Sequence, residues 1–80
     1  MIRIKLFAAA KQFAGIETAT INVDGPVPIS ELRRLLVEEH PSLEAILPSV
    51  RFAINTEYVS DDTLASEGDE VAVIPPVSGG

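Results

Sequence analysis

Two segments near the start of the chain alternate between apolar and polar residues. Ile2, Ile4 and Leu6 alternate with basic residues over positions 2–6, and positions 17–23 alternate in the same way before an Asp-Gly-Pro sequence. A period of two residues is that of a strand with one buried face. We therefore expect strands at residues 2–6 and 17–23, and we expect them to pair with each other.

Helical segments are expected between and after these strands. Residues 8–14 are good helix formers, and Gly15 follows where a glycine C-cap commonly stands. The principal helix is expected to have Ser30 as its N-cap and to run to Glu39, because Pro41 cannot continue it. The apolar residues that share one face of this helix are Ile29, Leu32, Leu35 and Leu36.

The second half of the chain predicts one more helical turn and further strands. The turn is expected to start at Ser42 and to be interrupted by Pro48. Strands are expected at residues 51–55, 58–59 and 71–74. Residues 71–74 are apolar on both faces, which is typical of a central strand covered on both sides. Leu64 is the one apolar anchor expected in the acidic stretch before this last strand.

The order of these elements predicts an α+β domain with a mixed sheet of about five strands, one principal helix and short helical turns. A right-handed crossover through the helix places the last strand parallel to the first and beside it. This arrangement is the β-grasp. We expect residues 1–74 to form the domain and residues 75–80 to form an extended C-terminal tail.

Composition limits what this chain can do alone. At 80 residues it buries only roughly 60 to 65% of its unfolded surface, which leaves no room for a deep catalytic pocket. It has no cysteine, which excludes disulfides, thiolate zinc sites and cysteine nucleophiles. The formal charge is −6 and the six basic residues are scattered, so nucleic acid is not an expected partner. The apolar run at residues 6–10 is too short for a signal peptide or a membrane span, and we expect a cytoplasmic protein with no membrane partner.

Few side chains are candidates for chemistry. His40 stands at a helix end, where a cation interacts favourably with the helix dipole. The acidic residues between 61 and 70 lack the spacing of a calcium loop, so we expect no metal site there. A solvated edge, or a patch for a basic partner, explains them better.

The tail is the most informative segment. Pro75 and Pro76 have no N–H group and a fixed φ, so they end the last strand and hold the following residues extended. Gly79 and Gly80 have no side chains and can pass through a channel that admits only backbone. A carboxylate presented in this way can be activated and transferred. A frayed chain end is the alternative interpretation.

The chain resembles the small subunit of molybdopterin synthase, a ubiquitin-like family, over nearly its whole length. The residues that carry the resemblance are Leu6-Phe7-Ala8, Gly15, the leucine-rich helix, Phe52-Ala53-Ile54-Asn55, Gly68-Asp69-Glu70-Val71 and Pro75-Pro76-Val77-Ser78-Gly79-Gly80. The resemblance implies that sulfur is carried as a thiocarboxylate on Gly80. It also implies that Phe7, Tyr58 and Ile74 contact partners, although residue type alone makes them equally good core positions.

The resemblance further implies a reaction cycle. A ubiquitin-activating-like adenylyltransferase uses ATP to adenylate the Gly80 carboxylate, and a sulfur donor converts the adenylate to the thiocarboxylate. The tail then inserts into the large subunit of a heterotetramer, where the sulfur attacks cyclic pyranopterin monophosphate. The inserting residues are Pro75, Pro76, Val77, Ser78 and Gly79. This chain itself is expected to bind no cofactor.

Two other functions share the fold and the Gly-Gly end. One is the sulfur carrier of thiamine biosynthesis, which recovery of thiazole synthase in a pull-down would favour. The other is a ubiquitin-like protein modifier, which higher-mass conjugates on a denaturing blot would reveal. A purely structural interaction domain is a third alternative, but it gives the tail no reason for its sequence.

Overall fold

A computed structural model describes residues 1–76 as a mixed β-sheet with a helix packed on one side. The strands are β1 (Ile2–Leu6), β2 (Thr18–Ile21), β3 (Val27–Pro28), β4 (Arg51–Ile54), β5 (Glu57–Val59), β6 (Leu64–Ala65) and β7 (Val71–Ile74). The helices are α1 (Ala8–Ala14) and α2 (Ile29–Glu39), and two short 3-10 turns follow at Pro41–Leu43 and Leu47–Ser49. Neither α1 nor α2 has the length and apolarity that a bilayer crossing requires.

The main sheet has the strand order β2-β1-β7-β4-β5. Strands β1 and β7 are parallel, and the other neighbours are antiparallel. The last strand therefore lies in the middle of the sheet beside the first, which confirms the predicted β-grasp arrangement. A second sheet of two short strands, β3 and β6, was not expected from the sequence.

The hydrophobic core lies between the main sheet and α2. On α2, Ile29, Leu32 and Leu36 are fully buried. The sheet contributes alternate residues of its strands to the same cluster, among them Ile4 and Val73. The predicted helix α1 is also present, and Gly15 ends it with φ 75° and an N–H bond to the Lys11 carbonyl at 2.9 Å.

Ser30 is not the N-cap of α2. The helix begins at Ile29 after Pro28, and no side chain caps it. Instead, the Ile29 N–H donates to the Thr63 carbonyl at 2.9 Å and the Ser30 N–H donates to the Asp61 carbonyl at 3.1 Å. The neighbouring loop thus satisfies the first N–H groups of the helix, which removes the need for a side-chain cap.

Three further expectations were wrong in detail. Leu64 is 57% exposed and Ala65 is the buried residue, because adjacent residues of β6 face opposite ways. Pro48 does not interrupt a turn but lies in the first positions of the second 3-10 turn, where no N–H is needed. Strand β7 is central, yet only Val71 and Val73 are buried while its other two residues are half-buried. One face of the sheet is therefore uncovered.

Candidate functional site

The side of the main sheet that faces away from α2 carries the candidate site, and we call it the open face. Strand pairing places Lys5 beside Ala72, and Ala53 between Ala72 and Tyr58. These residues form one row across four strands, because paired residues point to the same side of a sheet. The residues of the open face are Thr18, Thr20, Arg3, Lys5, Arg51, Ala53, Tyr58, Ala72 and Ile74.

The open face is concave. Ala53 and Ala72 are the small residues in its centre, and larger side chains surround them. A cavity of about 850 Å³ lies over this centre, and Phe7, Tyr58 and Ile74 all line it. Phe7 is 45% and Tyr58 55% exposed, whereas Ile74 is half-buried. The three residues that the sequence suggested as partner contacts thus lie around one surface, and their contact with a partner remains a prediction.

The tail leaves the domain at the edge of this surface. Pro75 follows Ile74, the last residue of β7, so the chain continues from the middle of the sheet. The Phe7 N–H donates to the Val73 carbonyl at 3.3 Å, which places Phe7 beside the point of exit. The predicted tail residues Val77, Ser78, Gly79 and Gly80 lie outside the described residues.

The hairpin that borders the open face turns at Asn55 and Thr56, where the sequence predicts a turn, although neither residue was suggested as part of the site. Asn55 and Thr56 form the turn between β4 and β5 with φ angles of 51° and 71°. Asn55 Oδ1 accepts from the Glu70 N–H at 3.0 Å, and the Asn55 N–H donates to the Glu70 carbonyl at 2.9 Å. These two bonds tie the hairpin to the start of β7. The sequence signal that indicates this hairpin is a two-residue loop between two predicted strands.

Replacing Thr56 by Gly is expected to raise the free energy of unfolding by about 0.5 kcal/mol, because relief of left-handed strain exceeds the entropy cost of glycine. Denaturant unfolding measures this. The matched control is Thr20→Gly in β2, where the backbone is extended and glycine is expected to lower stability by roughly 0.5 to 1 kcal/mol. An equal loss of stability in both variants would contradict the assigned turn.

Titratable groups on the helix side have structural explanations. His40 occupies the C-cap position of α2, as expected, and its backbone N–H donates to the Leu36 carbonyl at 2.7 Å. On the exposed surface of α2, a hydrogen bond from Arg34 lowers the pKa of the Glu31 carboxyl. A surface ion pair accounts for this shift, so it does not indicate a catalytic group.

Three of the acidic residues after β5 make contacts within the fold. Asp61 pairs with Arg33 at 3.0 Å, and Glu67 pairs with the N-terminal amino group at 3.2 Å. Asp69 Oδ2 accepts from the Ser66 N–H at 2.8 Å. Within residues 1–76, no group of three or more His, Asp or Glu side chains is placed to hold a metal ion. The open face and the tail exit are therefore the features that call for a functional explanation.

Comparison with known protein sequences gives matches along the whole chain. A model of the ThiS family matches residues 4–80. The molybdopterin synthase sulfur carrier subunit of Chlamydomonas reinhardtii is 35% identical over 99% of this chain and 98% of its own length. The human protein of the same name is 34% identical over 99% and 93%. Small archaeal modifier protein 1 of Haloferax volcanii is 33% identical over 95% and 97%.

Solved structures agree with the observed topology. The crystal structure of SAMP1 from Haloferax volcanii superposes with a TM-score of 0.84 at 32% identity, covering 98% of this chain and 97% of that one. A chain in the complex of subunits 1 and 2 of molybdopterin-converting factor from Helicobacter pylori 26695 superposes with a TM-score of 0.68. Its identity is 24%, with 98% of this chain and 96% of that chain covered, so this second match shows only that the fold is shared.

Proposed function

Because this chain belongs to the ThiS family, we propose that it is the sulfur carrier subunit of molybdopterin synthase and that Gly80 carries the sulfur. The observation that carries this proposal is the match from end to end, at 34 to 35% identity, to proteins named molybdopterin synthase sulfur carrier subunit. The family model extends to Gly80 itself. The proposal requires that Gly80 is the last residue of the mature protein, which an intact mass checks.

The chemistry proposed for Gly80 begins with its carboxylate. An adenylyltransferase joins one carboxylate oxygen to the AMP unit of ATP and releases pyrophosphate, which converts a poor leaving group into a good one. The terminal sulfur of a donor persulfide then displaces AMP and forms an acyl disulfide. A thiol attacks the donor's sulfur, which releases the Gly80 thiocarboxylate and leaves the donor in a disulfide with that thiol. The sulfur is a soft nucleophile that attacks the pterin precursor and forms a thioester with it. Water then cleaves the acyl–sulfur bond and regenerates the Gly80 carboxylate, and two such transfers supply the dithiolene. Acid and base groups for these steps come from the partners, since this chain is too small to enclose them.

The domain contributes a rigid base for the tail. β7 is held by β1 on one side and by β4 on the other, so the residue before Pro75 has a fixed position. We propose that a larger subunit docks on the open face and receives residues 75–80 in its active site. We further propose that two such pairs form a heterotetramer in the cytoplasm, and that ATP is bound by the activating enzyme rather than by this chain.

Tyr58 is the residue of the open face best suited to anchor a partner. Its ring is exposed, stacks with the Arg51 guanidinium at 4.0 Å and lines the concavity. Tyr58→Ala is expected to weaken binding of the large subunit by about 2 kcal/mol, or roughly thirtyfold in Kd, as aromatic anchors do. Titration calorimetry with the purified large subunit measures this.

The matched control is Phe13→Ala. Phe13 is also an exposed aromatic, at 48%, but it lies on α1 and does not line the open face. Its loss is expected to change the Kd by less than about threefold, as for residues outside a binding hot spot. Equal effects of the two variants, or none from Tyr58→Ala, would contradict docking on the open face.

A protein modifier is the second candidate, because the Haloferax relative is named small archaeal modifier protein 1. In that case the activated Gly80 acyl group forms an isopeptide bond with a lysine of a target protein. Affinity purification of the native chain from its own cells separates the alternatives. Co-purification of a molybdopterin synthase large subunit supports the proposed function. Higher-mass conjugates that survive denaturation would favour the modifier, and recovery of thiazole synthase would favour thiamine biosynthesis.

A further inference from the structure

The basic residues of this acidic protein are divided between two environments. Lys11, Arg33 and Arg34 lie on the helices, and each forms an ion pair with a carboxylate. The remaining three, Arg3, Lys5 and Arg51, lie on the open face, and none has an ion-pair partner within residues 1–76. Cations without local partners are thus concentrated on one surface of a chain with a charge of −6.

Register places these cations around the apolar centre. Lys5 is the neighbour of Ala72, and Arg51 is the neighbour of Ile74 at the tail exit. Arg3 lies two residues before Lys5 on the same side of β1. Arg51 has a partial substitute for a counter-ion, because its guanidinium stacks on Tyr58. Arg3 and Lys5 have no such substitute for a counter-ion among the described residues.

The end of the concavity where the chain enters β7 carries the other sign of charge. Glu67, Asp69 and Glu70 line this end, whereas the tail leaves from the far end of the strand. The parallel register, which pairs Ile4 with Val71, places Arg3 next to the acidic end and Lys5 and Arg51 closer to the tail exit. A partner whose acidic side faces the tail exit is therefore favoured, because the reverse orientation brings like charges together at the entry loop.

We propose that the open face selects an acidic protein surface, with Arg3 and Lys5 as the specificity-determining residues; this rests on the proposed function, since the surface belongs to the large subunit. Covering the open face removes these two cations from water, which is unfavourable unless the partner supplies carboxylates. The partner surface is therefore expected to have an apolar centre, which fills the concavity, and Asp or Glu side chains opposite β1. Such charges act mainly on the association rate and on the choice of partner.

The test compares association rates of the large subunit from the same organism with matched variants. Arg3→Gln and Lys5→Gln are made singly and together, and Arg34→Gln on α2 is the control because it changes the net charge by the same amount as each single variant. The double variant is expected to lower kon about tenfold at low ionic strength, and to lose most of the salt dependence of the wild-type rate. The control is expected to stay within about twofold of wild type, because its charge lies on the opposite side of the domain.

The outcomes separate the two proposals. Tight binding of the large subunit with unchanged rates in the double variant would overturn the role of Arg3 and Lys5 and leave the proposed function standing. No binding of the large subunit by the wild-type chain would overturn the proposed function, and the acidic partner with it. Shifts of the Arg3 and Lys5 amide resonances on addition of inorganic phosphate alone would identify a small-anion site instead. Dimerisation of the isolated chain through this face would also overturn the inference.

Discussion

Removal of Gly80 is expected to abolish sulfur transfer while leaving the stability of the domain unchanged. Within residues 1–76, the buried core residues lie at or before Val73 and pack against one another, so we expect the domain to stay folded when the chain is shortened at its end. The acyl group of a shortened chain, however, is displaced from the catalytic groups of its partners by the length of one residue. A displacement of even about 1 Å can lower a rate on the order of a hundredfold. Molybdopterin formation with the large subunit measures the loss.

Two further variants test whether the position of the terminal carboxylate matters. Addition of one residue after Gly80 displaces the carboxylate in the other direction and is expected to be equally inactive. Gly79→Ala keeps the length, adds one methyl group in the channel and is expected to be less damaging. Thermal unfolding of every variant is expected to match the wild type. A chain lacking Gly80 that still formed molybdopterin would place the chemistry on a different atom.

Arg33→Ala is expected to cause the largest loss of stability among surface-accessible positions. Arg33 Nη1 donates to the carbonyls of Leu47 and Val50 at 2.6 and 3.0 Å, and its other nitrogens donate to Asp61. Its guanidinium also lies 4.9 Å from the centre of the Phe52 ring. This side chain therefore joins α2 to the 3-10 turn before β4 and to the loop that caps the helix.

The alanine variant removes the Arg33 donor from the partly buried Val50 carbonyl and leaves the Leu47 carbonyl with only the longer bond from the Val50 N–H at 3.4 Å. We expect it to lower the free energy of unfolding by about 3 kcal/mol. For a domain of this size, that corresponds to a fall in Tm on the order of 15 °C. Arg34→Ala is the control from the next position of α2, where the ion pairs are exposed to solvent and are expected to contribute little to stability. Arg33→Lys is expected to be intermediate, because it keeps the charge but not the planar fork. Similar melting temperatures for the Arg33 and Arg34 alanine variants would refute this role.

The sequence predicted those elements whose residues repeat with a clear period or end in a distinctive cap. Strand β1 alternates over its whole length, and α1 ends at Gly15, so both could be recognised locally. The two residues of β3 and the two of β6 are too few to show a period, and only their pairing with each other makes them strands. The misassigned cap at Ser30 and the misassigned anchor at Leu64 have the same cause, since tertiary contacts decided both.

Only part of the candidate site could be predicted from the sequence. Family resemblance suggested Phe7, Tyr58 and Ile74, and the register of the sheet places them around one concavity. The alternation of β1 alone puts Arg3 and Lys5 on its outward side. Their relation to Arg51 could not be predicted, because it depends on β4 pairing with β7 in a particular register.

The intact mass of the protein shows whether Gly80 carries the sulfur. The purified chain is incubated with its activating enzyme, ATP and a sulfur donor, and its mass is measured before and after, beside the chain that lacks Gly80. The wild-type mass is expected to begin at that of a chain ending in Gly80 and to rise by the replacement of one oxygen with one sulfur. The mass of the shortened chain is expected to stay the same. An unchanged wild-type mass, or an equal gain by the chain without Gly80, would show that Gly80 does not carry the sulfur.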